Sequence, residues 1–389
     1  MHPTKKNRGA SSISASRSPL IAVDARLVGY AAGIAQYTLN LLEALDRQPG
    51  PERYLALVRP RGGTALTDTD RRRRVEALTP PHHPFERWTV PLDSLRTGRW
   101  PDLLHSIDHV APRWGVRCSV VTVHDLAFDL FPETHSAASR AYYAGTASSV
   151  RKAARVIAVS AATAADLTRL YAVDPLRIRI VQEAAAAIYS PRDEQQVQAV
   201  GTRLGVPPGR PYVLFVGTLE PRKNLVLLLE AFALARGGTD IDLHLVIVGN
   251  RGWHAEEAFA AHERLQLGAA VTFLGQTGRE ELAALYSGAR MLVLPSLYEG
   301  FGLPVLEAMA CGTPVVASDA GPLPEVGGDA AMYVPPRSAQ AWADAIAHLA
   351  TDAARRERMR QAGLVRAAAF SWDRAAAETL AVYREALAA

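Results

Sequence analysis

The stretch that decides the fold runs from Ser296 to Pro314 and reads SLYEGFGLPVLEAMACGTP. An apolar run, Met291–Leu294, comes before it, and residues Pro304–Ala310 have a helical composition. The turn Gly300-Phe301-Gly302 lies between these two segments. This order predicts a strand, a tight turn and the start of a helix.

The predicted helix start has the chemistry of an anion site. Its backbone N–H groups have no partner within the helix, and the helix dipole is positive there, so a phosphate is favoured. Pro304 suits the first helical turn, where its missing N–H costs nothing. Two carboxylates, Glu299 and Glu307, stand on either side of the turn. We expect a phosphorylated ligand at the residues that form the turn and the helix start, which are Gly300, Phe301, Gly302 and Leu303.

Short apolar runs alternate with helical patterns in both halves of the chain. Runs such as Leu20–Asp24 and Tyr212–Val216 read as buried parallel strands, and Ser136–Ala153 reads as one helix. The pattern predicts an α/β protein with two doubly wound parallel sheets. Ligands bind beyond the carboxyl ends of such strands. We therefore expect one shared cleft for the motifs that follow predicted strands, namely Gly33, His124, Gly217 to Asn224 and Glu299 to Leu303.

Composition suggests the domain boundaries. The segment 191–211 is polar and contains four prolines, which is typical of a linker. We predict a disordered tail over 1–19, one domain over 20–190, a second over 212–370, and an amphipathic helix over 371–389.

Charge and composition exclude several classes of protein. The net charge of +4 is too small to indicate a nucleic-acid binder. We find neither a membrane-length apolar run nor the apolar core of a secretory signal. Cys118 and Cys311 read as two buried thiols, and no Cys/His spacing suggests a metal. The basic run Arg71–Arg74 leaves two readings open, a solvated loop or contact with anionic lipid or a pyrophosphate-linked acceptor.

Three segments together resemble one family. The run Ser296–Pro314 resembles the donor-binding signature of retaining glycosyltransferases of family 4. The segment Phe215–Asn224, FVGTLEPRKN, resembles the diphosphate-binding turn of that family, and Asp24–Tyr37 is similar to its N-terminal segment. The resemblance extends over roughly residues 20–385. It implies the GT-B architecture, in which two Rossmann-like domains face each other across a cleft and a C-terminal helix crosses back to the first domain.

The adjacent cations Arg222 and Lys223 suit a diphosphate, because arginine offers a planar fork and lysine a point charge. They would stabilise the charge that develops on a leaving diphosphate. The alternative is a charged helix start, where cations are unfavourable without an anion. The resemblance adds Gly217 and Thr218 to this turn, although many relatives carry an arginine where Thr218 stands.

The resemblance implies a role for four more residues. Glu307 would bind the ribose hydroxyls, unless it only complements the helix dipole. Glu299 would either hold a hydroxyl of the transferred sugar or stabilise oxocarbenium-like charge. His124 would contact a hydroxyl of the donor sugar, unless it is a buried structural histidine. Gly33 would let the backbone approach the acceptor or a phosphate. The remaining histidines, including His82 and His109, have no predicted role.

The resemblance therefore implies a retaining hexosyltransferase that needs no metal or other cofactor. The expected donor is a nucleotide-sugar, with GDP-mannose or another GDP-hexose favoured. The expected acceptor is a lipid-linked glycan or polysaccharide in surface glycan synthesis. We expect a cytoplasmic enzyme, peripheral on the inner membrane face, with an anionic membrane surface as a possible partner and no nucleic acid.

Several alternatives stay open. The donor could be a UDP-sugar. A UDP-sugar epimerase shares this fold, and a non-catalytic scaffold could keep a degenerate site. Glycoside hydrolysis is disfavoured, because eight helical positions span about 12 Å, whereas hydrolytic carboxyl pairs lie about 5 to 10 Å apart. We read the triplets Asp68-Thr-Asp70 and Asp240-Ile-Asp242 as chance and not as metal motifs.

Overall fold

The computed structural model describes residues 17–30, 33–60, 66–96, 98–112, 114–238 and 241–389, without the Thr134 side chain. Residues 1–16 of the predicted tail lie outside these ranges. The described chain forms two parallel sheets. The first comprises β1 (Leu20–Asp24), β2 (Arg53–Val58), β3 (Arg72–Glu76), β4 (Leu103–Ser106), β5 (Ser119–Val123), β6 (Arg155–Ala158) and β7 (Ile178–Ile180). The second comprises β8 (Tyr212–Val216), β9 (His244–Val248), β10 (Val271–Gly275), β11 (Met291–Leu294), β12 (Val315–Ser318) and β13 (Ala331–Val334).

Helices connect the strands of both sheets. In the first half they are α1 (Gly33–Arg47), α2 (Glu86–Leu95), α3 (Ala127–Leu130), α4 (Ala137–Tyr143), α5 (Thr146–Lys152), α6 (Ala161–Tyr171) and α7 (Glu194–Arg203). In the second half they are α8 (Leu225–Gly237), α9 (Glu256–Arg264), α10 (Arg279–Gly288), α11 (Leu303–Ala310), α12 (Leu323–Gly327), α13 (Ala339–Thr351), α14 (Ala353–Ala368) and α15 (Trp372–Ala388).

Strand order places the ligand-binding edges. The first sheet has the order β3-β2-β1-β4-β5-β6-β7, and the second has the order β10-β9-β8-β11-β12-β13. The order reverses between β1 and β4 and between β8 and β11, which makes a crevice at the carboxyl ends of these strands. The predicted α/β fold class is confirmed. We call the unit built on the first sheet the first domain and the unit built on the second sheet the second domain.

The prediction of a solvated loop at Arg71–Arg74 is wrong. Most of this run belongs to the edge strand β3, in which Arg72 is buried and pairs with Asp46 at 3.0 Å. Arg71 lies 3.6 Å from Glu52. Charged side chains are common on edge strands because they discourage pairing with another chain. Arg74 Nε lies 3.4 Å from Asp68 Oδ1, so three of the four cations are paired within the fold.

The predicted single helix over Ser136–Ala153 is also wrong, since the chain divides it into α4 and α5. The break falls at Gly145, where a Cβ atom would lie 1.2 Å from the Arg87 guanidinium. Arg87 comes from α2, so a side chain that is distant in sequence packs against the backbone where the helix divides.

The segments at the domain boundaries contain helices. Residues 191–211, predicted as a linker, include α7. The terminal helix α15 packs against α1, β5 and β6 of the first domain. Its buried Tyr383 hydroxyl lies 2.6 Å from His105 Nδ1, and Arg384 pairs with Glu52 at 2.8 Å. The C-terminal end of the chain is thus fixed to the first sheet.

Two other features bear on the sequence expectations. Both cysteines are free thiols, Cys311 buried and Cys118 half-buried, and burial raises the pKa of Cys311 to about 12. In the part of the chain described above, no helix combines the length and apolar character of a membrane span.

The Tyr383–His105 hydrogen bond gives a test of how α15 is held. We expect Tyr383→Phe to lower the free energy of unfolding by about 1–3 kcal/mol, because it leaves a buried imidazole nitrogen without its partner. Urea unfolding followed by fluorescence measures this change. Tyr54→Phe is the matched control, since its buried hydroxyl has no hydrogen-bond partner among the described residues. Equal losses in the two variants would contradict the assigned role of the bond.

Candidate active site

A cleft of about 740 Å³ lies between the carboxyl ends of the two sheets. It brings together residues predicted from distant parts of the sequence. Eleven of the twelve predicted site residues line it, namely Gly33, His124, Gly217, Thr218, Arg222, Lys223, Glu299, Gly300, Phe301, Gly302 and Leu303. Glu307 lies one helical turn beyond Leu303, on the same face of α11.

Gly300 lies at a close contact between the two domains. Its carbonyl accepts hydrogen bonds from Ser160 Oγ at 2.7 Å and Thr163 Oγ1 at 3.3 Å, both in the first domain. A Cβ atom at this position would lie 2.0 Å from the His124 carbonyl oxygen. A residue with a side chain would therefore force the domains apart. In the same loop, the Tyr298 hydroxyl donates to Asp166 Oδ2 at 2.9 Å.

Glu299 is held by two cations. Lys223 Nζ donates to its two carboxylate oxygens at 2.6 and 2.8 Å, and Arg222 Nη1 donates to Oε2 at 3.2 Å. Ser296 Oγ adds a fourth bond, to Oε1 at 2.6 Å. A carboxylate has about four lone-pair sites. The hydrogen-bonding capacity of Glu299 is therefore used within the protein.

The electrostatics of this cluster favour its charged forms. Burial raises the pKa of Glu299, but Lys223 and Arg222 outweigh that effect, so its pKa is lowered. Burial disfavours the charged guanidinium of Arg222, yet Glu299, Asp125 and Glu220 together raise its pKa. Asp125 belongs to the first domain and the other carboxylates to the second. The cluster is thus a buried, ionised network that the two domains share.

The start of α11 presents backbone donors to the cleft. Gly302 precedes the helix with φ of +106°, a left-handed conformation that favours glycine. Among the residues that the structure describes, no side chain caps this helix start. The N–H groups of the first turn therefore have no side-chain acceptor, as an anion site requires.

Glu307 has a raised pKa. Burial raises its pKa to about 7, although Tyr286, Arg279 and Tyr189 act in the opposite direction. The Tyr286 hydroxyl donates to Glu307 Oε2 at 3.0 Å. Glu307 therefore changes charge near neutral pH.

His124 is fixed through both ring nitrogens. Nδ1 lies 3.1 Å from Glu183 Oε1 and Nε2 lies 3.1 Å from the Ile107 carbonyl oxygen. Burial lowers the pKa of His124, but Glu183 and nearby carboxylates more than offset this, so the pKa is raised. In this arrangement neither ring nitrogen is free to bind a ligand hydroxyl, so such a contact would require one of the two bonds to exchange.

Gly33 is the first residue of α1 and lies in the cleft wall. A Cβ atom there would meet nothing within 4 Å among the described residues. The space next to its backbone is open to a ligand.

The first-domain wall contains residues that the sequence reasoning missed. His82 and His109 line the cleft, although neither was given a role. His82 Nε2 lies 2.7 Å from Asp108 Oδ2, and its ring lies 4.4 Å from that of Tyr142. Both histidines have a left-handed backbone, and no sequence pattern reveals this conformation. The sequence therefore carries no signal that would have assigned them to the cleft.

Comparisons with known proteins identify the family. The model described as "Glycosyl transferases group 1" matches residues 201–366, and "Glycosyltransferase Family 4" matches residues 31–184. The O-antigen chain mannosyltransferase B of Escherichia coli is 34% identical over 267 residues, which is 68% of this chain and 70% of that protein. The D-inositol 3-phosphate glycosyltransferase of Corynebacterium glutamicum (strain R) is 36% identical over 230 residues, which are 57% of this chain and 55% of that enzyme.

A solved structure agrees with this result. The sucrose-phosphate synthase of Thermosynechococcus elongatus superposes with a TM-score of 0.77 at 25% identity, over 96% of this chain and 100% of that one. The chain therefore belongs to glycosyltransferase family 4, has the GT-B fold, and is a hexosyltransferase.

Proposed function

We propose that the protein moves a hexose from a nucleotide-sugar to a glycan acceptor with retention of anomeric configuration, and that GDP-mannose is the donor. The observation that carries the proposal is the placement of Arg222 and Lys223 beside the uncapped start of α11, in a cleft that both domains line. The similarity to an O-antigen mannosyltransferase supports mannose and a lipid-linked or polysaccharide acceptor.

The diphosphate of the donor would lie against Arg222, Lys223 and the first turn of α11. These groups supply positive charge where the leaving diphosphate develops negative charge. That is the electrostatic role that a metal ion has in other transferases. We therefore propose that the reaction proceeds without a metal.

The arrangement of Glu299 favours same-face attack over a covalent intermediate. A carboxylate that accepts four hydrogen bonds, two of them from Lys223, is a poor nucleophile. We propose that Glu299 orients the two cations and touches the transferred sugar only when Lys223 turns to the phosphate. The nucleoside diphosphate would then depart while the acceptor hydroxyl attacks from the same side.

The acceptor would lie on the first-domain wall, between Gly33 and His82. Aromatic rings and hydrogen-bonding groups there, such as Tyr142 and the His82–Asp108 pair, suit a sugar. With a lipid-linked acceptor, the enzyme would work at the cytoplasmic face of the inner membrane.

The donor assignment is tested by binding nucleotides. We expect GDP to raise the melting temperature more than UDP, ADP or dTDP at equal concentration, because ligands that bind only the folded state stabilise it. The panel is run in excess EDTA, and GDP-mannose turnover is measured alongside. A larger shift with UDP would replace GDP with UDP as the donor nucleotide. The absence of any shift would favour a scaffold, and loss of turnover in EDTA would contradict a metal-free reaction.

Substitutions of Lys223 and Glu299 should affect different measurements, GDP binding for Lys223 and turnover for Glu299. We expect Lys223→Ala to weaken GDP binding at least about fivefold, the scale of a charge-assisted hydrogen bond. Isothermal titration measures this, with Lys152→Ala, an exposed lysine in α5, as the matched control. We expect Glu299→Gln to reduce turnover about a hundredfold or more and to change GDP affinity by a much smaller factor. Unchanged GDP binding in Lys223→Ala would refute the diphosphate assignment.

The pKa of Glu307 predicts that nucleotide binding depends on pH. Its ionised form accepts hydrogen bonds from both ribose hydroxyls, so affinity should rise with pH through its pKa of about 7. If only the ionised form binds, the gain from pH 6 to pH 8 is about tenfold.

The terminal phosphate of GDP also titrates near pH 6, so the readout is the ratio of wild type to Glu307→Gln. That ratio should increase with pH. A ratio that is constant across this range would place Glu307 outside the ribose site.

A further inference from the structure

The helix α2 presents an apolar stripe to solvent. Phe85, Trp88, Leu92 and Leu95 are between 38% and 63% exposed. Their spacing of three, four and three residues places them on one face of the helix. Large apolar side chains grouped in this way on a surface mark an interaction site.

The opposite face of α2 packs on the sheet with polar residues. Glu86, Asp93 and Ser94 are buried there, and each is hydrogen-bonded. Asp93 accepts from the Leu78 N–H at 2.8 Å, and Glu86 accepts from the His82 N–H at 2.7 Å. The exposed stripe of α2 is thus more apolar than the buried surface formed by Glu86, Asp93 and Ser94. This reverses the usual arrangement of a surface helix.

Two tryptophans extend the stripe. The rings of Trp100 and Trp114 lie 6.2 Å apart in an edge-to-face arrangement, and both are about 40% exposed. Gly115 lets Trp100 lie close to α2, since a Cβ atom there would lie 2.9 Å from Pro91 and 3.1 Å from Trp100. We call this surface the α2 ridge, formed by Phe85, Trp88, Leu92, Leu95, Trp100 and Trp114.

Two exposed arginines accompany the α2 ridge. The side chain of Arg96 is 53% exposed, and Arg117 is exposed three residues after Trp114. The two acids of α2 point inward, where Asp93 is 0% exposed and Glu86 pairs with Arg26. Cations are therefore presented to solvent next to the tryptophans.

The α2 ridge begins at the rim of the proposed acceptor wall. His82 lines the cleft, and the Phe85 ring lies 5.7 Å from that of its neighbour His83. A surface that covers the ridge would therefore lie beside the half of the cleft where the acceptor is proposed to bind.

We propose that the α2 ridge inserts into the headgroup region of an anionic phospholipid bilayer and so holds the cleft beside a lipid-linked acceptor. Tryptophan favours the boundary between headgroups and acyl chains, and arginine is attracted to anionic lipid. The exposed Arg96 and Arg117 beside the aromatic side chains are the observation that favours an anionic bilayer as the occupant. The inference rests on the proposed lipid-linked acceptor, but its test does not depend on turnover.

The test measures binding of the full chain to vesicles. Sedimentation with equimolar phosphatidylglycerol and phosphatidylcholine is compared with phosphatidylcholine alone. We expect binding to the anionic vesicles, and at least tenfold weaker partitioning for the double variant Phe85→Ser/Trp88→Ser. The matched control, Leu176→Ser/Val365→Ser, removes two exposed apolar residues that lie far from α2 in sequence and should bind like wild type. Arg96→Gln/Arg117→Gln should lose most of the preference for phosphatidylglycerol.

Three results would overturn the proposal. The first is that wild type does not bind the anionic vesicles, and the second is that the ridge variant binds them as well as wild type. The third is that the ridge substitutions convert a dimer into a monomer in sedimentation velocity without any vesicle binding, which would assign the ridge to a second copy of the chain. GDP binding and thermal unfolding of each variant, expected to match wild type, separate failure of this inference from failure of the proposed donor site.

Discussion

The contact at Gly300 is the constraint on which the rest of the site depends. Only a residue without a side chain lets this loop approach the His124 carbonyl while its own carbonyl accepts from Ser160 and Thr163. That approach faces the carboxyl ends of the two sheets toward each other. It also brings Asp125 of the first domain close enough to raise the pKa of Arg222. The charged cluster is therefore complete only when the domains are in contact.

The hydrogen bonds of Glu299 explain why so many charges can be buried together. An isolated buried carboxylate is costly, and a buried ion pair is tolerated only when its remaining hydrogen-bonding positions are filled. Glu299 meets that condition through Lys223, Arg222 and Ser296. The protein thus keeps two cations oriented before any ligand arrives, which reduces the reorganisation needed during the reaction.

The sequence predicted the strands and turns that depend on neighbouring residues. The strand bounds at Leu20–Asp24 and Tyr212–Val216 follow from continuous apolar runs, and the turn before α11 follows from its glycines. The strand at Arg72–Glu76 was missed because a run of arginines hides the burial of Arg72, which depends on Asp46. The His82–Asp108 pair was missed for a similar reason, since its members lie 26 residues apart and meet through the strand order. Contacts of this kind follow from topology and not from local composition.

The structure also joins the cleft to the surface through one short segment. Glu86, at the start of α2, accepts from the His82 backbone and pairs with Arg26, which is itself bound to Asp24 at the end of β1. The inward face of α2 therefore positions a cleft-wall histidine, while its outward face forms the α2 ridge. The contacts of Glu86 therefore tie the start of α2 to the cleft wall. A partner that covers the ridge would lie beside the wall where we place the acceptor.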